Sequence, residues 1–383
     1  MPTLDLILPT YRWGSYVRGY IGYLASVIHD DSEDICLHIG DNSCNLEKHQ
    51  FLKSLKSPKV RLHLHPTNLG VHPNVTYLLH HSEGEFILLL GDDDWIHPTA
   101  FAQAGFLRRN PECSACAGFF AGIPPATAEG LACFDDRFMA PDPVARAIDY
   151  VQYALWEAGV NWLALAVHRR STVALYDEYT RKHPFQFYFR DQVLSQIALL
   201  TGPVKGLRDG FMFYNNRRPD EMPAHLQNFC KSLEEMGLAA WLLRYYDYLL
   251  ACEYAALYLY RGLPDSLFSN RIADADRVFI KLFKRYYNKS YRQNIAEHEE
   301  HFIKVGIQDA MHNVLERPSA TVGLQSMASI CNTINPDAGA KYAAFLQREL
   351  PVERGVQNLV PMHNSRRGRP EPGATLAQVH GEP

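Results

Sequence analysis

The sequence is short of several things, and each shortage removes a class of protein. Charge of one sign is lacking: 38 basic residues stand against 42 acidic ones in 383, a formal net charge of −4. A chain built to grip a nucleic-acid backbone carries a strongly basic face, so no nucleic-acid partner is expected. Long apolar runs are lacking too. Residues 239–260 come nearest, but Arg244, Asp247 and Glu253 interrupt them, and a transmembrane helix needs about 18–20 consecutive apolar residues. Met1-Pro2-Thr3-Leu4-Asp5 has neither the basic nor the apolar stretch of a secretory leader. A cytoplasmic location is therefore expected. Cysteine pairing is the last absence. The eight cysteines, at 36, 44, 113, 116, 133, 230, 252 and 331, are scattered, and Cys113-Ser-Ala-Cys116 has no second pair at zinc-knuckle spacing. They are expected to be reduced, small core residues.

What remains is globular in composition, 47% hydrophobic and 21% charged, and too long for one ordinary core. The first third alternates strand and helix signals. Leu4-Asp-Leu-Ile-Leu8, Ile35-Cys-Leu-His-Ile39 and Phe86-Ile-Leu-Leu-Leu90 predict buried strands, and Val60-Arg-Leu-His-Leu64 alternates like an edge strand. Residues 18–28 and 74–81 predict helices between them. The pattern is α/β, a mainly parallel sheet whose carboxyl edge binds ligands. Residues 162–167 and 211–214 predict further strands, and residues 190–200 a helix stopped by Gly202-Pro203. Residues 223–350 are helical and rich in tyrosine, read mostly as packing core. The expected domains are 1–220, catalytic, and 221–350, helical, with a disordered proline- and glycine-rich tail over 351–383.

The chemistry concentrates in Gly84-Glu-Phe-Ile-Leu-Leu-Leu-Gly-Asp92-Asp93-Asp94-Trp95. Three carboxylates after a buried strand repel one another unless a cation sits among them. Hard ions such as Mn2+ or Mg2+ take carboxylate oxygens together with substrate phosphates. The bland alternative is an acidic turn capping the helix that His97-Pro98 announces.

Four pieces in order, Leu8-Pro9-Thr10-Tyr11, Ile39-Gly40-Asp41-Asn42-Ser43, Asn68-Leu69-Gly70 with Asn74, and the aspartate run, resemble the donor half of the family 2 glycosyltransferases over about residues 3–110. The resemblance implies the GT-A fold and inverting transfer from a UDP-, GDP- or dTDP-sugar to a glycan or lipid-linked acceptor. It implies that Pro9, Thr10 and Tyr11 line the nucleoside pocket, that Asp41 hydrogen-bonds the base, and that Asn68 and Asn74 close the nucleoside side. Asp92, Asp93 and Asp94 correspond to the DxD motif that binds ribose and metal. The family pattern is Asp-x-Asp-Asp, whereas Gly91 stands here at its first aspartate. Asp92 with Asp94, or by strict alignment Asp93, are therefore the metal ligands implied.

A catalytic base is implied about a hundred residues beyond, at the start of a helix, where Asp191 stands in Phe189-Arg-Asp-Gln-Val193. The family often has Glu-Asp there, and an N-cap role is the alternative. Asp135 and Asp136 are weaker contenders. Trp162, with His168-Arg169-Arg170 nearby, falls on the acceptor side, and Arg217 could pair bidentately with the diphosphate. The histidines at 63, 65, 72, 80 and 81 show no ligand-spaced pair on one face, so no zinc site is assigned to them. A nucleotidyltransferase would need a glycine-rich triphosphate loop after the first strand, which Pro9-Thr-Tyr-Arg-Trp-Gly-Ser15 does not supply. A non-catalytic scaffold stays open. The basic amphipathic residues 276–289 could touch an anionic membrane at its inner face, and the aromatic helices offer a surface for a homodimer.

Overall fold

The computed structural model describes residues 3–30, 34–92, 94–123, 131–154, 161–185, 191–215, 243–261, 271–286 and 319–350, with 234, 237, 238, 313 and 316. Strands β1 (Leu4–Thr10), β2 (Ile35–Asp41), β3 (Val60–Leu64) and β4 (Phe86–Leu89) run parallel. Beyond them lie β5 (Trp95–Ile96), β6 (Ala115–Ile123), β7 (Leu131–Ala132), β8 (Val167–Arg169) and β9 (Val204–Asn215). They form one mixed sheet, ordered β3-β2-β1-β4-β8-β6-β9-β5, with β7 beside β6. This is the expected α/β architecture, with β3 at the edge and β4 in the middle.

Alternation along the strands sorts the two faces. Leu4, Leu6 and Leu8 of β1 stand in register with Ile35, Leu37 and Ile39 of β2, all buried, and make an aliphatic face. Asp5 and Ile7 stand beside Cys36 and His38, and His63 follows on β3, so the opposite face is largely polar. Right-handed crossovers on either side of the switch in strand order separate the helices. Helices α1 (Ser15–Asp30) and α2 (Leu46–Ser54) lie over the aliphatic face, where Tyr20, Ile21, Leu24 and Ile28 are buried without remainder. Helix α3 (Val71–His81) packs on β1 and β2 over the polar one. It approaches so closely that a Cβ at Gly40 would lie 2.2 Å from Asn74 Oδ1.

The second half departs from expectation in one strand. Residues 162–167 do not form a strand. Trp162–Leu165 make a 3-10 turn, and only Val167–Arg169 join the sheet, antiparallel to β4. Apolar composition there signalled burial, which the turn satisfies as well as a strand would. Helices α4 (Ala102–Arg109), α5 (Pro143–Gln152), α6 (Arg170–Lys182) and α7 (Asp191–Thr201) flank this half.

Beyond it, α8 (Leu243–Arg261) packs on α7 and α9 (Arg271–Tyr286) on α5, while α10 (Ala320–Ile334) packs on α9 and α11 (Pro336–Glu349) on α10. Buried Glu253 of α8 accepts from Tyr179 of α6 at 2.5 Å and from Tyr342 of α11, tying helices far apart in sequence. Tyr254, Tyr258 and Tyr260 are buried, as their reading as core requires. Val278, Phe279, Leu282 and Phe283 of α9 are buried as well, so the apolar face that the sequence offered to a membrane is spent inside the protein. Among the described residues no helix is long and apolar enough to cross a membrane. The tail 351–383 lies outside them.

Candidate active site

The carboxyl ends of β1, β2 and β4 bring three of the four motif pieces into one hydrogen-bonded cradle. Asp92 Oδ2 accepts from Thr10 Oγ1 at 3.0 Å and from the backbone N–H of Tyr11 and Arg12 at 3.1 and 3.2 Å. Its Oδ1 faces the Arg12 guanidinium at 3.7 Å. Lys48, from the first turn of α2, is wholly buried and donates to Thr10 Oγ1, to the Arg12 carbonyl and to Asp41, each at 2.8 Å. One lysine thus links the ends of β1 and β2, and Thr10 carries the link to the turn after β4. Burial pulls the Lys48 ammonium pKa down, and the Asp41 carboxylate pushes back.

Asp41 itself has no exposed surface. Its Oδ1 meets Lys48 Nζ and the Ser43 N–H, and its Oδ2 meets Ser43 Oγ and, at 2.8 Å, His49 Nε2. Asp41, expected to read a base, is built into the wall of the pocket by these contacts. Asn74 is similarly engaged: its amide donates to the Gly40 carbonyl at 2.7 Å, and its Oδ1 lies 3.0 Å from His65 Nε2. Asn68 is exposed and caps its own loop by accepting from Gly70 N–H at 2.9 Å. Asn42 holds that loop through Leu69 N–H and the Gly70 carbonyl. Pro9, one residue before the end of β1, stands in register with Gly40. Tyr11 is 57% exposed and lines, with Arg12, Trp13, Ser43 and Asn45, a cavity of about 410 Å³ at this edge.

Of the aspartate run, Asp92 is bound as described and Asp94 is buried. The Asp94 charge adds to burial in raising the pKa of the Tyr20 hydroxyl. Asp93 lies outside the described residues, as does Arg217. Trp95 anchors the turn, its ring 5.0 to 6.0 Å from those of Tyr16, Tyr20 and Tyr23 on α1. The donor set here is carboxylate oxygen alone, which fits a hard divalent cation of the Mg2+ or Mn2+ kind.

Asp191 opens α7. The helix runs back from Val204, level with the start of β6, so its eleven residues carry Asp191 about 17 Å toward the carboxyl edge. Asn161, ahead of the antiparallel β8, reaches the same edge from the other side. Its amide donates to Asp191 Oδ2 at 3.0 Å, while its Oδ1 accepts from Tyr150 OH at 2.6 Å and Ser195 Oγ at 2.8 Å. Asp191 Oδ1 is enclosed and has no hydrogen-bond partner. Burial raises the carboxyl pKa above the ordinary aspartate range, against the hydrogen bond from Asn161.

Other expected residues fall elsewhere. Trp162 begins the turn beside Asn161. Because β8 runs antiparallel, the residues after it head for the opposite edge, where Arg169 stands level with Phe86. There His168 is buried against the Leu163 carbonyl, Arg169 braces the carbonyls of Leu107, Asn110 and Cys113, and Arg170 reaches Asp5. Asp135 and Asp136 are tied to Arg208 and Lys205 near the start of β9, away from the cradle. Lys48, His49 and Asn161 were not anticipated. A lysine four residues before the buried Leu52, on the inward face of α2, was the available signal for the first. Asn161 had none.

A family model for glycosyl transferase family 2 matches residues 5–126. The chain carries a family 2 glycosyltransferase domain. No curated protein matches the sequence. Among solved structures, residues 1–349 of S. aureus TarS in complex with UDP match the glycosyltransferase at TM-score 0.50 and 15% identity, covering 91% of each chain. The same TarS fragment in complex with UDP-GlcNAc matches at TM-score 0.50 and 14% identity, over 91% of this chain and 85% of that one. Identity this low speaks to fold, which is GT-A.

Proposed function

We propose that this glycosyltransferase moves a sugar from a nucleoside-diphosphate donor to an acceptor hydroxyl with inversion, and that Asp191 is its base. The single observation that carries the reading is the state of Asp191: one oxygen held by Asn161, the other enclosed without a hydrogen-bond partner among the described residues, and a pKa raised by burial. A carboxylate so placed gains from accepting a proton. The acceptor hydroxyl gives its proton to Asp191 as its oxygen bonds to the anomeric carbon. The bond from that carbon to the diphosphate breaks, and the nucleoside diphosphate leaves.

The cavity beside Tyr11, Arg12 and Trp13 is the proposed nucleoside site, and uridine is the base to try first, because TarS was solved with UDP and UDP-GlcNAc. Asp92 and Asp94, with Asp93 between them, would hold Mn2+ or Mg2+, which neutralises charge developing on the leaving diphosphate. Residues 1–220 form the proposed catalytic unit and 221–350 its helical brace. The acceptor, glycan or lipid-linked, is the broadest part of the reading.

Release of nucleoside diphosphate from a panel of UDP-, GDP- and dTDP-sugars, with Mn2+ and with excess EDTA, tests it. Turnover of at least one donor that stops with EDTA is expected. Full turnover in EDTA would remove the metal from the reading, and no turnover of any donor would remove the donor class.

A further inference from the structure

The opposite end of the same strands holds a second cluster that the transfer reaction does not use. Asp5 of β1 stands in register with Cys36 of β2, and His38 follows two residues later on the same face. All three side chains are buried, at 0%, 7% and 4% exposure. One donor atom from each lies within 4.8 Å of the other two. Asp5 is five residues before Thr10, so the cluster sits about 17 Å along the strand from the cradle.

The two oxygens of Asp5 have different surroundings. Oδ2 accepts from the N–H groups of Glu83 and Gly84, at 2.7 and 2.6 Å, and faces Arg170 at 3.2 Å. The turn presses so close that a Cβ at Gly84 would lie 2.9 Å from the Asp5 backbone nitrogen. Oδ1 is buried without a hydrogen-bond partner, and so is Nδ1 of His38. The gap from Oδ1 to His38 Nε2 is 3.4 Å. That is long for a hydrogen bond. It is the edge of a tetrahedron, since two ligands each about 2.0–2.1 Å from a zinc ion stand about 3.3–3.4 Å apart.

We propose that Asp5, Cys36 and His38 bind a transition-metal ion, zinc by the chemistry of the donors, at a structural site separate from the aspartate turn. Thiolate, imidazole and carboxylate together suit zinc and do not suit Mg2+ or Mn2+. The bonds to Asp5 Oδ2 fix the carboxylate so that Oδ1 points at the ion, as ligands of metal sites are usually held. A bound ion would take the place of the Cys36 thiol proton. A further donor close by is His63, whose ring stacks on that of His38 at 5.7 Å and whose Nε2 is likewise buried without a hydrogen-bond partner. Bound there, the ion clips β1 to β2 and, through Asp5, to the turn before β4 and the start of α6.

The test is cobalt titration of the metal-stripped full chain. One equivalent is expected to give a thiolate-to-cobalt charge-transfer band that zinc abolishes. Cys36→Ser should lose the band, His38→Gln should weaken cobalt binding at least tenfold, and Asp92→Asn should keep both band and affinity. X-ray absorption on the zinc-loaded wild-type protein needs no variant, and it should show one sulfur among nitrogen and oxygen ligands. No band, a band surviving Cys36→Ser, or a zinc shell without sulfur would overturn the site.

Discussion

The two sides of the carboxyl edge treat their carboxylates in opposite ways. On the β1–β2–β4 side, Asp41 has four partners and Asp92 Oδ2 has three, joined through Lys48 and Thr10. On the α7 side, Asp191 has one oxygen held by Asn161 and one enclosed without a hydrogen-bond partner among the described residues. A saturated carboxylate is a fixed charge, good for shaping a pocket. A half-satisfied one in a water-poor setting takes up protons readily. The contrast separates the scaffold from the group available for chemistry, and it does so without reference to sequence position.

The sharpest way to break that contrast is Asp191→Asn. Transfer should fall by about 10²–10⁴-fold in kcat, while donor affinity, measured by calorimetry with the nucleoside diphosphate and Mn2+, stays within about twofold. Loss of donor affinity instead would move Asp191 to the scaffold side. Lys48→Met should do the reverse damage. It strands the Asp41 carboxylate in a dry interior, which costs about 3–5 kcal/mol of stability. Denaturant unfolding reads that loss, and a change under about 1 kcal/mol would show that the buried pair matters little. Thr10→Val removes one bond each from Lys48 and Asp92 and should cost about 1–3 kcal/mol by the same measurement.

The smallest expected effect is in stability against pH. The folded-state pKa of Asp191 lies above its unfolded value, so at neutral pH folding works against its ionised form, and that cost disappears as pH falls through the raised pKa. Asp191→Asn should therefore melt slightly higher than the wild type at pH 7, with the gap closing below about pH 4, near the unfolded aspartate pKa. A variant less stable than wild type at pH 7 would mean that the carboxylate is better satisfied than its surroundings indicate. The transfer rate of the wild type should rise with pH through the same ionisation.

Much of the first half was legible along the chain because its signals are local. Apolar runs of strand length ending in Pro9, Gly40 and Gly91 place three strand ends, and a parallel sheet brings such ends to one edge. The strand expected at 162–167 was misread because an apolar run specifies burial and leaves the backbone open. The placement of His168, Arg169 and Arg170 was not legible for a related reason: strand direction sends them toward the other edge, and direction is a property of the sheet. Asp41 and Asn74 were found as residues of the edge, but their partners, Lys48, His49 and His65, lie on neighbouring elements.

The sequence by itself determined the class of fold, the edge at which chemistry gathers and the charged residues available there, because periodicity and strand-ending residues are encoded within a few positions of each other. Only the tertiary structure decided which of those charges are neutralised. Whether a buried carboxylate oxygen meets a lysine 2.8 Å away, as Asp41 does, or no hydrogen-bond donor among the described residues, as Asp191 Oδ1 does, depends on side chains brought together from separate strands and helices. That pairing sets the cost of ionisation, and so divides the residues that hold the site from the one that reacts.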